Sequence, residues 1–113
     1  MEVNTVFEKM IMQLNTNHLV KPLFPKEPIF IAFNSLGGCF ETYRLSEEGI
    51  EKQENGNGNW HIKISGNQEH WDELWEGELR LQQLNNLRMI QVEGKYRDIL
   101  RLESILTLCK FNR

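Results

Sequence analysis

Val3, Val6, Phe7, Met10, Ile11 and Leu14 recur at three- and four-residue steps, which draws an apolar stripe along one side of a helix. Thr5 and Glu8 have the spacing of a capping box, so this helix is expected to start near Val6, and Asn15-Thr16-Asn17 ends it. Pro22, Pro25 and Pro28 then interrupt Leu19, Val20, Leu23 and Phe24. A regular helix cannot run through those prolines, but the connector is apolar enough to pack on the body. Residues 29–33 (Ile-Phe-Ile-Ala-Phe) form a continuous apolar run, which suits a strand covered on both faces. Gly37-Gly38 is a turn signal and residues 39–45 read as the return strand. A second hairpin is expected from residues 50–53 and 60–65, around Asn55-Gly56-Asn57-Gly58-Asn59, whose residues tolerate positive φ. In its second arm Trp60, Ile62 and Ile64 alternate with His61, Lys63 and Ser65, the pattern of a half-buried antiparallel strand.

Asn67 is placed to cap a short helix with Trp71, Leu74 and Trp75 on one face. Glu69, Asp72 and Glu73 fall in its early turns, where the helix dipole favours negative charge, and Gly77 breaks it. Leu81, Leu84 and Leu87 suggest another short helix, residues 89–92 a last strand, and Gly94 a turn. Residues 95–109 make the closing helix, with Tyr96, Ile99, Leu100, Leu102, Ile105, Leu106 and Leu108 around most of its circumference, so much of it should be covered. The order is helix, four antiparallel strands, two short helices, a fifth strand and a closing helix. With no internal repeat or linker, the expectation is one α+β domain over residues 1–113.

Composition narrows the class. The chain has 113 residues, 40% apolar and 26% charged, enough for one real core without staples. No apolar run approaches the roughly 20 residues that cross a bilayer. Glu2 and Glu8 with no basic n-region do not read as a signal peptide, so a soluble, cytoplasmic protein is expected. Cys39 and Cys109 lack any CxxC spacing and are expected as free thiols. A net charge of −3 argues against a nucleic-acid partner. The charge is uneven, however: residues 80–113 hold seven basic groups and three acidic ones, a local balance of +4.

The search for chemistry finds little. Residues 55–59 superficially resemble a phosphate loop, but they lead into Trp60 and a strand instead of a helix, which favours a plain turn. His18, His61 and His70 show no metal-ligand spacing. Glu69, Glu73 and Glu76 beside His70 alternate with apolar residues as on a surface helix with one wet face. Neither cysteine sits in a nucleophile motif, and Ser35 and Ser65 have ordinary turn contexts. No catalytic residue, metal or cofactor is therefore expected. The basic groups Arg80, Arg88, Lys95, Arg97, Arg101, Lys110 and Arg113 form either a solvated face or a docking surface for anionic lipid headgroups, and they lack the aromatic interleaving of a single-strand nucleic-acid groove.

Residues 71–108 run Trp-Asp-Glu-Leu-Trp-Glu-Gly, then a leucine-bearing segment, then Ile-Gln-Val-Glu-Gly and an aliphatic helix. This resembles the sterol carrier protein type-2-like family of lipid carriers. In that family a short helix ends at a glycine (here Gly77), a second leads to a strand ending in glycine (here Gly94), and a closing helix follows. The preceding elements match in order, so the resemblance covers nearly the whole chain. It implies a five-stranded, mainly antiparallel sheet covered on one face by helices, with an apolar tunnel between them. Family members bind sterols, fatty acids, acyl-CoAs or phospholipids and do no chemistry. Matched by position, the lining would come from Phe33, Trp71, Leu74, Trp75, Leu84, Ile90, Leu100 and Leu106. Two segments depart from the family pattern: the short, proline-rich connector at residues 19–28 and the charged Tyr96-Arg97-Asp98 start of the last helix. The expected function is non-enzymatic carriage of a hydrophobic ligand. The alternative is an interaction module with a filled core and an exposed apolar edge that makes a homodimer.

Overall fold

The structure is a computed structural model and describes residues 3–36, 40–53 and 59–111. Gly37, Gly38, Cys39 and residues 54–58 lie outside them, and with them the expected turns and the Cys39 thiol. α1 (Val3–Thr16) begins three residues before the expected start, so Thr5 lies within the helix and not at its cap. A single 3-10 turn, Lys21–Leu23, is all the helix the prolines allow in the connector, while Val20 and Phe24 on either side are buried. The sheet strands are β1 (Ile29–Ser35), β2 (Phe40–Ser46), β3 (Gly49–Gln53), β4 (Ile62–Gly66) and β5 (Ile90–Gly94). Between the last two lie α2 (Trp71–Glu76) and α3 (Leu81–Asn86), and α4 (Tyr96–Phe111) closes the chain. Asn67 takes a different part from that expected. A 3-10 turn, Gln68–His70, precedes α2, and the His70 N–H donates to the Asn67 carbonyl.

The strand order is β3-β2-β1-β4-β5. Three neighbours pair antiparallel, but β1 and β4 run parallel, in the register Ile31↔Ile62 and Phe33↔Ile64. The expected hairpin of residues 50–53 with 60–65 is therefore not formed. β3 turns back on β2 through Ser46–Gly49, and the chain then crosses to the other side of β1. The physical reason is burial: Ile62 and Ile64 are fully buried, which an inner position provides and an edge hairpin would not. Alternation along a strand states which side chains share a face, not which strand lies alongside.

One face carries Ile29, Ile31 and Phe33 of β1, Tyr43 and Leu45 of β2, Ile50 of β3, Ile62 and Ile64 of β4, and Ile90 of β5. The helices cover this face with Phe7, Met10 and Leu14 of α1, Trp71, Leu74 and Trp75 of α2, Leu81 and Leu84 of α3, and Leu102, Ile105, Leu106 and Cys109 of α4. At its centre Phe7 lies 4.7 Å from Phe33 and 5.4 Å from Trp71, ring centre to ring centre, and Trp71 meets Phe33 edge-on at 5.9 Å. Tilted and edge-on pairs are the favoured aromatic geometry. The Trp71 Nε1–H donates to Ser35 Oγ at 3.2 Å, so the one polar atom of the indole is satisfied inside the core. The same face holds one buried acid, Glu41, which accepts from the Tyr43 hydroxyl at 2.7 Å and from Lys52 Nζ at 3.2 Å.

The helices also bond to the sheet edges. Asn15 of α1 accepts from the Ile50 N–H at 2.9 Å and donates to the Ile50 carbonyl at 3.0 Å, which satisfies both edge groups of that β3 residue. On the opposite edge Asn85 Oδ1 of α3 accepts from the Val92 N–H at 2.9 Å. Gly77 and Gly94 are required by geometry. Gly77 ends α2 with its N–H on the Glu73 carbonyl, and a Cβ there would sit 2.7 Å from that oxygen. Gly94 has φ 143, and a Cβ would collide with the His61 carbonyl. α3 ends in a Schellman arrangement: Met89 N–H to the Leu84 carbonyl, Arg88 N–H to the Asn85 carbonyl, with Arg88 at φ 64.

Two stability changes follow. Asn15→Ala leaves the Ile50 edge groups without their partner and is expected to cost about 1–3 kcal/mol, read as a lower urea midpoint. Arg88→Gly removes the penalty of about 1–2 kcal/mol on an L-residue in the left-handed region and adds unfolded-chain entropy of about 0.5–1 kcal/mol. The net expectation is a melting temperature raised by a few degrees, and a lowered one would contradict the strained conformation at Arg88.

Candidate functional site

A cleft of about 810 Å³ opens at the end of the sheet where β1 and β4 begin and β5 ends. One wall is the connector, from Pro22 to Pro28. The other is the start of α4, with Lys95, Arg97, Asp98, Arg101 and Ser104. Ile29 and His61 at the strand ends complete it. The volume falls in the range of small-molecule sites, about 300–1,000 Å³. The local sequence explains each wall. Prolines fix three φ angles of the connector and keep it off the helical path. On α4 the residues at 97, 101 and 104 are three or four positions apart and so share one side of the helix. Gly94 lets β5 close against the His61 backbone, which brings Lys95 to the cleft.

Phe24 and Ile29 are buried and belong to the same contiguous apolar core as Trp71 and Trp75. The cleft is thus polar at its rim and apolar where it meets the interior. His61 is held on both sides of its own residue: its N–H donates to the Phe30 carbonyl at 2.8 Å, and the Phe30 N–H donates to its Nδ1 at 3.0 Å. Its ring stacks on Phe30 at 5.9 Å with 13° between planes. With Nδ1 accepting, the ring that makes this bond carries its proton on Nε2. His70 Nδ1 donates to the Met89 carbonyl at 2.6 Å and ties the approach to α2 to the approach to β5.

The structure places the eight lining residues expected from sequence apart from this cleft. Phe33, Trp71, Leu74, Trp75, Leu84, Ile90 and Leu106 are all buried in the core between sheet and helices. Leu100 lies on the outer side of α4 and is 37% exposed, as are Tyr96 and Phe111 more fully. The closing helix is therefore less covered than its apolar residues suggest, because one side of it faces the cleft and solvent. Sequence reasoning missed the cleft residues as a group, although both of its walls are the segments that depart from the family pattern. What joins them is the fold, since some seventy positions separate Pro25 from Arg97. Among the described residues no helix is long and apolar enough to cross a membrane.

The sequence matches no family model and no curated protein. Solved structures do match in backbone. A ubiquinone synthesis protein, UbiJ-SCP2, superposes with a TM-score of 0.71 at 12% identity, over 97% of this chain and 93% of its own. Palmitated SCP2L2 from Aedes aegypti gives 0.58 at 14% identity, over 94% and 95% of the two chains. The sec-alkylsulfatase Pisa1 from Pseudomonas sp. gives 0.72 at 8% identity, with 94% of this chain matching 16% of that longer one. Identities this low speak of backbone and not of chemistry. In backbone the chain has the sterol carrier protein 2 fold.

Proposed function

We propose that this chain binds and carries a hydrophobic ligand, of the fatty acid, acyl-CoA, phospholipid or sterol-like class, without making or breaking bonds in it. The observation that carries the reading is the cleft whose apolar floor, Phe24 and Ile29, is continuous with the core held between sheet and helices. A ligand seated in the cleft has a direct route to the side chains of Phe33, Trp71, Leu74, Trp75, Leu84, Ile90 and Leu106, and parting them from one another would give the tunnel its lining. Leu100, 37% exposed on α4, stands outside that group of buried side chains. Removing an acyl chain from water contributes about 0.8 kcal/mol per methylene, ample driving force for such a rearrangement. The palmitated state of one structural neighbour supports the same ligand class.

The packing of Phe7, Phe33, Tyr43 and Trp71 favours a second reading, in which the core stays full and the chain acts by association with itself. Native mass spectrometry separates the two. A carrier shows, when freshly purified, an added mass of a few hundred daltons that organic extraction removes and fatty acid or phospholipid restores. In a Trp60→Phe background, the emission of the buried Trp71 and Trp75 is expected to change saturably as fatty acid is added. A bare mass, unchanged emission and a stable dimer in light scattering would establish the interaction module instead.

A further inference from the structure

Building on the lipid-binding reading, we infer that the cleft receives the anionic head, a phosphate or carboxylate, of a single amphipathic ligand. Arg97 and Arg101 line one wall, with Lys95 beside them and Lys26 on the opposite wall. Among the described residues none of these four cations has an ion-pair partner. Two carboxylates, Glu27 and Asp98, also line the cleft, which leaves an excess of two positive charges around a concave space. Like charges gathered in a cleft with low-dielectric walls focus the potential there and attract an anion. Guanidinium groups one helical turn apart offer forked donors that fit the oxygens of a phosphate or carboxylate.

The apolar side of the cleft argues for a tail on that anion. Phe24 and Ile29 give a methylene chain a dry surface next to the cationic wall, so head and tail meet different chemistry in one site. Pro22, Pro25 and Pro28 fix three φ angles of their wall, which lowers the ordering cost of binding. The four cations line a concavity, and a single molecule reaches into one more readily than a flat bilayer does.

Isothermal titration of the extracted full chain with dodecyl phosphate, dodecanoate and dodecanol tests this, because the three share one tail and differ in charge. The anionic probes are expected to bind at least about tenfold more tightly than dodecanol, and more weakly as salt is raised. The double variant Arg97→Gln with Arg101→Gln is expected to lose about tenfold for the anionic probes and less than about twofold for dodecanol. Lys26→Gln with Lys95→Gln gives the same reading should the first variant fold poorly. Equal binding of all three probes overturns the anion site and leaves lipid binding standing. Binding of none of them overturns both. Inorganic phosphate as tight as dodecyl phosphate overturns the amphipathic ligand in favour of a bare anion. Binding to phosphatidylglycerol vesicles by a chain that ignores the monomeric probes overturns it in favour of membrane docking.

Discussion

The parallel pairing of β1 with β4 is the constraint on which the rest of the structure depends. With β2 on one side and β4 on the other, β1 becomes the innermost strand, and the chain must cross the sheet after β3. The pairing lays Ile62 and Ile64 beside Ile31 and Phe33, so the core face continues without a break across the middle of the sheet. At one end of β1 it lets Trp71 lie against Phe33 and bond to Ser35. At the other end it sets His61 against Phe30 and, through Gly94 opposite Ile62, brings the start of α4 to the connector. The cleft is a product of strand order before it is a product of any one side chain.

Core and cleft are built differently, and the difference bears on how a ligand would be held. The core around Phe7, Phe33 and Trp71 consists of side chains already in contact, and occupying it means repacking them. The cleft stands open, with a wall stiffened by proline and a histidine ring fixed by two hydrogen bonds of its residue. A ligand meeting the cleft first would find a preformed surface, and movement into the core would be a second, slower event with its own conformational cost.

Much of this was legible in the residues themselves. The stripe from Val3 to Leu14, the strand run at residues 29–33, the break at Gly77 and the closing helix all report local geometry, and local geometry is what periodicity encodes. The partner of β4 was not legible, because Ile62 and Ile64 present the same alternation whether their neighbour is β3 or β1. Glycine at position 94 could be read as a turn, but the collision that a side chain there would make with the His61 carbonyl depends on a strand thirty residues away. The cleft was read as two unrelated oddities, a proline-rich connector and a charged helix start, since nothing along the chain says that they face each other. Leu100 was placed in the lining by position within the resembled pattern, and position along a chain does not state how far the neighbouring elements cover a side chain, which here is 37% exposed.

The asparagine contacts at the sheet edges have a further consequence, for assembly. An edge strand ordinarily offers a row of free amides and carbonyls to any extended chain that comes near. Here Asn15 occupies both outward groups of Ile50, and Asn85 occupies the outward N–H of Val92. A strand from another molecule would have to displace a side chain that already makes the same bonds, next to the start of β3 and at the middle of β5. Side chains of the same molecule thus stand where an added strand would bond, at one residue of each edge strand.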